Sequence, residues 1–420
     1  MEKFVIIGGQ KLNGSVEISG AKNSVLALMP ATILASGTFK IYNTPDLRDV
    51  RTMSQVLREL GVDVKFENHT LTINTENISK YEAPYELVKK MRASIYVLGP
   101  LVGRFGYARV SLPGGCAWGP RPVDLHIEGI KKLGAEVELD AGYIVARAKK
   151  LRGARIHLDK SSVGATGNIM MASVLASGTT IIENAAKEPE IVQLGEFLIS
   201  MGARINGLGT DKIEIEGVDE LHPADIVTIP DRIEAGTFLV AGAITGGRIR
   251  IEKCNPQHFE AVLLKLEDAG CNLTIGDDFV EIEGPDEIKP VDVTTAVYPG
   301  FPTDMQAQWI ALMSIANGTS VVTETIFYDR FKHVPELVRL GANIEVNENV
   351  AVVRGVKKLK GAKVMSTDLR ASASLILAGL VAEGRTEVLR IYHIDRGYEK
   401  IEVKLQKLGA QIWREQTDEF

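Results

Sequence analysis

An apolar residue followed by glycine closes the same kind of helix six times: Leu60-Gly61, Leu133-Gly134, Met201-Gly202, Ala269-Gly270, Leu340-Gly341 and Leu408-Gly409. The glycines are 73, 68, 68, 71 and 68 residues apart. A fixed period marks one supersecondary unit built repeatedly, each copy needing neighbours to bury its apolar face. Glycine just past a helix predicts a left-handed C-cap at all six positions. A second glycine series closes an earlier helix in each unit, at Gly37, Gly106, Gly178, Gly246, Gly318 and Gly384. Short β-type runs follow, such as Thr179-Thr180-Ile181-Ile182, and alternating runs such as Lys212-Ile213-Glu214-Ile215-Glu216 read as half-buried strands. The unit is therefore of βαβαββ type.

The first helix of each unit decides the layering. Ser24–Met29, Asn168–Ala172, Gly236–Ala241 and Ser372–Leu377 are nearly apolar all round and rich in small residues. A helix without a polar face is buried. The expected fold class is α/β, with helices inside and sheets outside.

These buried helices begin with charge. Counting back 14 or 15 residues from the first-helix glycines finds Lys22, Arg92, Gly164, Arg232, Asp304 and Arg370. A cation there opposes the helix dipole, and a residue that breaks a local rule is a functional candidate. Together with the helix N-terminus it can hold an anion. Arg121, Arg330 and Arg396 add cations near the second-helix starts, and arginine suits bidentate capture of carboxylate or phosphate. A lone arginine reads as a solvated surface residue; the recurring set reads as convergence on one anionic ligand. Asp304 is the only acid in the series. It reads either as a capping acid or as a general base beside a basic pocket.

One loop concentrates breakers around a thiol: Pro113-Gly114-Gly115-Cys116-Ala117-Trp118-Gly119-Pro120-Arg121-Pro122-Val123-Asp124. It leads into an amphipathic helix, so Cys116 is either a packed thiol or one made reactive at a helix N-terminus. The other cysteines are Cys254 and Cys271; three without CxxC spacing predict neither disulfides nor zinc. A reducing, cytoplasmic setting is expected. The net charge of −6 and 6% aromatics argue against a nucleic-acid partner. No apolar run approaches the roughly 20 residues that span a bilayer, so no membrane is expected.

The Cys116 loop, Ser19-Gly20-Ala21-Lys22-Asn23, Met91-Arg92-Ala93-Ser94, Lys160-Ser161-Ser162-Val163, Pro302-Thr303-Asp304-Met305-Gln306, Glu324-Thr325-Ile326-Phe327, Asp368-Leu369-Arg370 and His393-Ile394-Asp395-Arg396-Gly397 together resemble the enolpyruvyl transferase family, in its branch acting on UDP-N-acetylglucosamine. The resemblance covers essentially the whole chain. It implies two inside-out α/β barrel domains of three βαβαββ-type repeats each, one over residues 21–229 and a discontinuous one over 1–20 and 230–420, with the active site in the cleft between them. It implies transfer of the enolpyruvyl group of phosphoenolpyruvate to the sugar 3′-hydroxyl, with loss of phosphate, by addition and elimination through a tetrahedral ketal.

By the same resemblance Cys116 is the proton donor to the vinyl carbon and the target of fosfomycin, and Asp304 is the candidate base. Lys22, Asn23, Arg121, Arg330, Arg370 and Arg396 hold phosphoenolpyruvate, with Asn23 and Asp368 contacting the intermediate. Arg92, Arg121, Pro122, Val123, Asp124, Leu125, Lys160, Ser161, Ser162, Val163, Asp304 and Ile326 form the UDP-sugar site. No metal or cofactor is expected, and the enzyme is expected to act as a monomer. Trp118 departs from the smaller aliphatic residue of many relatives.

Two alternatives share features. A shikimate 3-phosphate enolpyruvyl transferase has the same fold and basic pocket but lacks the Cys116 loop and the Arg121-Pro122-Val123-Asp124 run. A sliding-clamp ring also repeats βα units, but its cations would spread along helix faces rather than gather at helix starts.

Overall fold

The computed structural model describes residues 1–113 and 123–420, so Cys116, Trp118, Arg121 and Pro122 lie outside the described residues. The chain divides into two units, one of Gly20–Ile229 and one of Met1–Ser19 with Pro230–Phe420. Among the described residues, each contains three four-stranded sheets.

All six sheets are built alike. In the sheet with Arg155–His157, that strand runs parallel to Thr179–Glu183, which pairs antiparallel with Lys212–Glu216, which pairs antiparallel with Arg204–Asn206. The parallel pair is bridged by the helix Val163–Ser173, as a parallel pair requires. Ile213 and Ile215 point inward while Lys212, Glu214 and Glu216 face water. That is the alternation of a sheet buried on one face.

Inside each unit run the apolar helices. Lys22–Ala31, Leu98–Phe105 and Val163–Ser173 lie in one unit, and Arg232–Ile244, Gln306–Met313 and Leu369–Val381 in the other. Five of them are buried along nearly their whole length, and Leu98–Phe105 is buried over Leu98–Val102. The inside-out architecture follows: only helices with no polar face tolerate being surrounded by sheets.

Small residues set how close these helices come. A Cβ at Gly99 would fall 2.3 Å from the backbone oxygen of Asn168, and one at Gly103 would fall 3.1 Å from that of Ala172. Gly99→Leu is therefore expected to force the helices Leu98–Phe105 and Val163–Ser173 apart. Overpacking of this kind costs about 1–3 kcal/mol, readable as a lower urea midpoint. An unchanged midpoint would show that the helix contact is not the tight one described.

The second-helix glycines Gly61, Gly134, Gly202, Gly270, Gly341 and Gly409 all have φ between 94° and 108°. These are the left-handed caps that the spacing predicts. The first-helix glycines differ from expectation. Gly106 caps its helix with φ 70°. The other five lie two or more residues beyond the helix ends, and Gly318 is not in the left-handed region. Hydroxyls close four of those five helices instead. Thr32, Ser173, Thr245 and Ser314 donate back to the carbonyls of Met29, Ile169, Ala241 and Ile310, a local bond that competes with helix continuation.

Strands are also exchanged along the chain. Asn13–Glu17 precedes the helix Lys22–Ala31 in sequence, yet it pairs parallel with Arg248–Glu252. Asp225–Val227, some 180 residues later, supplies the parallel partner of Thr38–Tyr42. Glu2–Ile7 fills the inner place in the sheet of Lys363–Met365, Arg385–Leu389 and Gln411–Gln416, antiparallel to the last two. Arg414 ties this sheet down: it holds Asp395 through two bonds of 2.9 and 2.6 Å and also reaches Glu402 and Glu2. Among the described residues no helix is long and apolar enough to cross a membrane.

Candidate active site

The charged residues do stand at the starts of the buried helices. Lys22 and Arg232 open α-helices, Arg92 opens the 3-10 helix Arg92–Val97, and Arg370 is the second residue of Leu369–Val381. The cost to the dipole is offset where a capping acid precedes the cation. Asp368 Oδ1 accepts from the backbone N–H of Arg370 and Ala371, at 2.9 and 3.0 Å. Asp231 does the same for Ile233 and Glu234.

Asp304 does not cap. It sits in the 3-10 turn Thr303–Met305, whose side chains make no capping bond. Its Oδ1 accepts from Arg330 Nη1 at 2.9 Å, and its Oδ2 lies 3.4 Å from Arg370 Nη2. Arg330 also donates to the Thr303 hydroxyl at 2.9 Å. The acid is the exposed member: its side chain is 26% accessible against 9% for Arg330 and 5% for Arg370. Two buried guanidiniums thus present one carboxylate outward.

Tyr398 underlies them. Its ring faces the Arg370 guanidinium at 5.3 Å, and its hydroxyl lies 2.8 Å from that of Thr237. Gln308 Nε2 reaches the Tyr398 hydroxyl at 3.3 Å and the Asp304 carbonyl at 2.9 Å. Burial works against the Arg370 charge, but Tyr398, Asp304 and Asp231 outweigh it, so the guanidinium is held more firmly protonated than usual. His333, 2% exposed, lies near Asp368 and Arg330; burial above all lowers its pKa to about 4, so it is neutral at pH 7.

The remaining residues of this unit sit differently. Arg330 lies four residues before the helix Val334–Arg339, and Arg396 ends the 3-10 helix Ile391–Arg396, five before Ile401–Lys407. Both precede their second helices rather than opening them, because a turn intervenes. Arg396 is half-buried, and its neighbour Asp395 is engaged by Arg414. Ile326 is half-buried and its N–H donates to Glu324.

In the Gly20–Ile229 unit, Nζ of half-buried Lys22 lies 3.1 Å from Oδ2 of buried Asp49 (12% and 2% exposed). Asn23 beside it is half-buried. His126 is held at a pKa of about 4 by burial and then by the Arg92 charge. Asn168 Nδ2 meets its Nδ1 at 2.9 Å; with the amide donating, the proton belongs on Nε2. Gly164 makes room for this ring, since a Cβ there would come within 3.0 Å of it. That explains why one repeat carries glycine where others carry charge. Ser162 caps the helix Val163–Ser173 through Ala165 N–H at 3.1 Å. Lys160 is exposed, Ser161 half-buried, Val123 buried, and Asp124 opens the exposed start of Asp124–Lys132, with Leu125 half-buried.

The arrangement brings Asp304, Arg330 and Arg370 into one ion-pair cluster and joins Lys22 to Asp49. Three of the cations read from sequence as an anion pocket, Lys22, Arg330 and Arg370, therefore carry carboxylate partners. Sequence reasoning passed over Asp49, Thr303, Glu324, His333 and Tyr398. For Glu324 a signal existed. Asn43, Asn184, Lys253 and Arg390 follow the equivalent strand in other repeats, all at positive φ; the fifth repeat has an acid there, as it does at Asp304.

The sequence matches the family EPSP synthase (3-phosphoshikimate 1-carboxyvinyltransferase) over residues 6–405. It is 60% identical to the UDP-N-acetylglucosamine 1-carboxyvinyltransferase of Chloroherpeton thalassium, covering 100% of this chain and 99% of that protein. It is 57% identical to the one from Chlorobium chlorochromatii, covering 100% of both. Among solved structures, the enolpyruvyl transferase NikO from Streptomyces tendae superposes with a TM-score of 0.89 at 28% identity, over 99% of each chain. EPSP synthase from Acinetobacter baumannii superposes with a TM-score of 0.76 at 19% identity, over 99% of this chain and 100% of that one, a likeness of fold.

Proposed function

This chain belongs to the EPSP synthase family, and from that premise we propose that it transfers the enolpyruvyl group of phosphoenolpyruvate to the 3′-hydroxyl of UDP-N-acetylglucosamine, releasing phosphate. The observation that carries the choice of acceptor is the 60% identity, end to end, with a UDP-N-acetylglucosamine 1-carboxyvinyltransferase. The reaction opens peptidoglycan synthesis, and the reading includes a cytoplasmic, monomeric enzyme.

The acceptor oxygen bonds to C2 of phosphoenolpyruvate and its proton leaves, while C3 gains a proton to become a methyl group. The resulting ketal then loses a methyl proton and phosphate to restore the double bond. In this reading Cys116 supplies the proton to C3 and Asp304 receives that of the hydroxyl. Lys22, Asn23, Arg121, Arg330, Arg370 and Arg396 hold phosphoenolpyruvate, and Asp368 contacts the ketal. Arg92, Arg121 to Leu125, Lys160 to Val163, Asp304 and Ile326 hold the UDP-sugar.

The ion-pair cluster supports the role of Asp304 and adds a condition. A carboxylate engaged by two guanidiniums is a weak base. An anion entering beside Arg370 competes for that guanidinium, and the 3.4 Å contact to Asp304 Oδ2 is the longer of the two. Binding of phosphoenolpyruvate thus frees one Asp304 oxygen to accept the sugar hydroxyl. The same cations then stabilise charge developing on the ketal and on the departing phosphate.

Phosphate release from phosphoenolpyruvate tests the reading, with UDP-N-acetylglucosamine and with shikimate 3-phosphate as acceptors. Release with the UDP-sugar alone, lost after preincubation with fosfomycin, is the expected result. Release with shikimate 3-phosphate alone would keep the fold and overturn the acceptor.

A further inference from the structure

Glu324 is 0% exposed, and among the described residues no cation bonds to it. Its carboxylate instead gathers five donors. Oε1 accepts from the Thr303 hydroxyl at 2.7 Å and from Gln306 Nε2 at 3.4 Å. Oε2 accepts from the Thr295 hydroxyl at 2.7 Å and from the N–H of Ile326 and Phe327 at 2.9 and 3.1 Å. A buried charge persists only when its lone pairs are filled in this way.

A purely structural duty exists at this position. In other repeats Asn43 and Asn184 reach the end of the neighbouring parallel strand, at the carbonyls of Thr228 and Leu158. The bond from Thr295 gives Glu324 that same duty, and an asparagine would perform it without a buried charge. The remaining donors are what distinguish this repeat, and they belong to the loops that carry Asp304 and Ile326.

We propose that Glu324 is a positioning residue for the transfer reaction, acting through Thr303 on the Arg330–Asp304 pair and directly on the Ile326 turn. The Thr303 hydroxyl has one proton, and it donates it in the hydrogen bond to Glu324 Oε1. Its lone pairs then face Arg330 Nη1 at 2.9 Å, and that same nitrogen is 2.9 Å from Asp304 Oδ1. Gln306, bonded to Glu324, also holds the Arg330 carbonyl at 2.7 Å. Glu324 thereby fixes the side chain of Arg330 from one side and its backbone from the other. Hydrogen-bonded networks of this kind hold their members in one geometry. The inference rests on the reading of Asp304 as the group that meets the acceptor hydroxyl.

The test compares Glu324→Gln, Thr303→Val and Thr303→Ser with the unaltered protein, by steady-state phosphate release and thermal unfolding. Glu324→Gln turns an acceptor into a donor among donors. Thr303→Val keeps the shape of the relay and removes its hydroxyl. A displacement of order 1 Å at a reacting group costs roughly a hundredfold in rate. The expected result is a fall in kcat of that order for Glu324→Gln and Thr303→Val, with KM for phosphoenolpyruvate raised alongside it because Arg330 also holds that substrate. Thr303→Ser is expected to keep kcat near that of the unaltered protein. If Glu324→Gln fails to fold, Thr303→Val decides alone, because its site is at the surface edge of the cluster. A Thr303→Val enzyme with unaltered kcat, or one changed only in unfolding temperature, would overturn the positioning role. Absence of UDP-sugar-dependent release by the unaltered protein would overturn the functional reading, and the role with it.

Discussion

Asp304→Asn is expected to lower UDP-N-acetylglucosamine-dependent phosphate release by roughly 10²–10⁴-fold, the range lost with a proton-transfer group. Asparagine keeps the size of the side chain and one acceptor oxygen, so the bond from Arg330 Nη1 survives. What disappears is the negative charge and the second acceptor. The amide NH₂ then faces Arg370 Nη2, and two donors meet where an ion pair stood at 3.4 Å. Arg370, 4% exposed, loses a carboxylate that helps to keep it charged. Truncating one partner of a fully buried pair costs about 3–5 kcal/mol. Asp304 is a quarter exposed, and water replaces part of what is lost, so the stability change stays below that figure. The diagnostic pattern is a large loss of single-turnover rate with a modest shift in urea midpoint. Activity within tenfold of the unaltered enzyme would remove Asp304 from the chemistry.

Acidification is expected to weaken the fold through two histidines, one in each unit. His126 and His333 are neutral inside, each with a pKa near 4 against 6.5 when free. At pH 7 neither state binds the proton, and both contribute in full. Between about 6.5 and 4 the unfolded chain binds protons that the folded chain refuses, so stability falls as pH falls. The loss reaches about 3 kcal/mol for each histidine by pH 4. For His333 the nearby charges act in opposite senses: Asp368 favours its protonation and Arg330 opposes it, while burial exceeds both. For His126 burial and Arg92 act together. Urea midpoints at pH 7 and pH 4.5 measure the effect. In His126→Gln and His333→Gln the difference between the two midpoints is expected to shrink, whatever each substitution does at pH 7. An undiminished difference in both would assign acid lability to the carboxylates instead.

Much of the scaffold is legible along the chain. The six Leu-Gly, Met-Gly or Ala-Gly closures specify φ near 100° because a Cβ is penalised there, and the structure has glycine in that conformation at all six. Helices apolar all round specify burial before any contact is known. The charged helix starts are legible too, as exceptions to the dipole rule. Four first helices end before their glycines because serine and threonine close them through their own hydroxyls, and Gly178 or Gly318 then serves only the next turn.

The chain order gave no warning of the strand exchanges. Asn13–Glu17 buries only Val16, and nothing local says that it is a strand or that its parallel partner is Arg248–Glu252 rather than Thr38–Tyr42. Any strand with an apolar inner face satisfies the same ladder, so the choice falls to the packing of the whole unit. The site divides along the same line. Residue types at helix starts, φ at glycines and the burial of helices depend on neighbours within a few turns, and the sequence alone determines them. The carboxylate that each cation meets, Asp304 for Arg330 across 26 residues and for Arg370 across 66, depends on which helix N-termini the packed sheets bring together. Coulomb energy falls with distance in space and is indifferent to distance along the chain, so only the tertiary structure decided those partners, and with them Glu324.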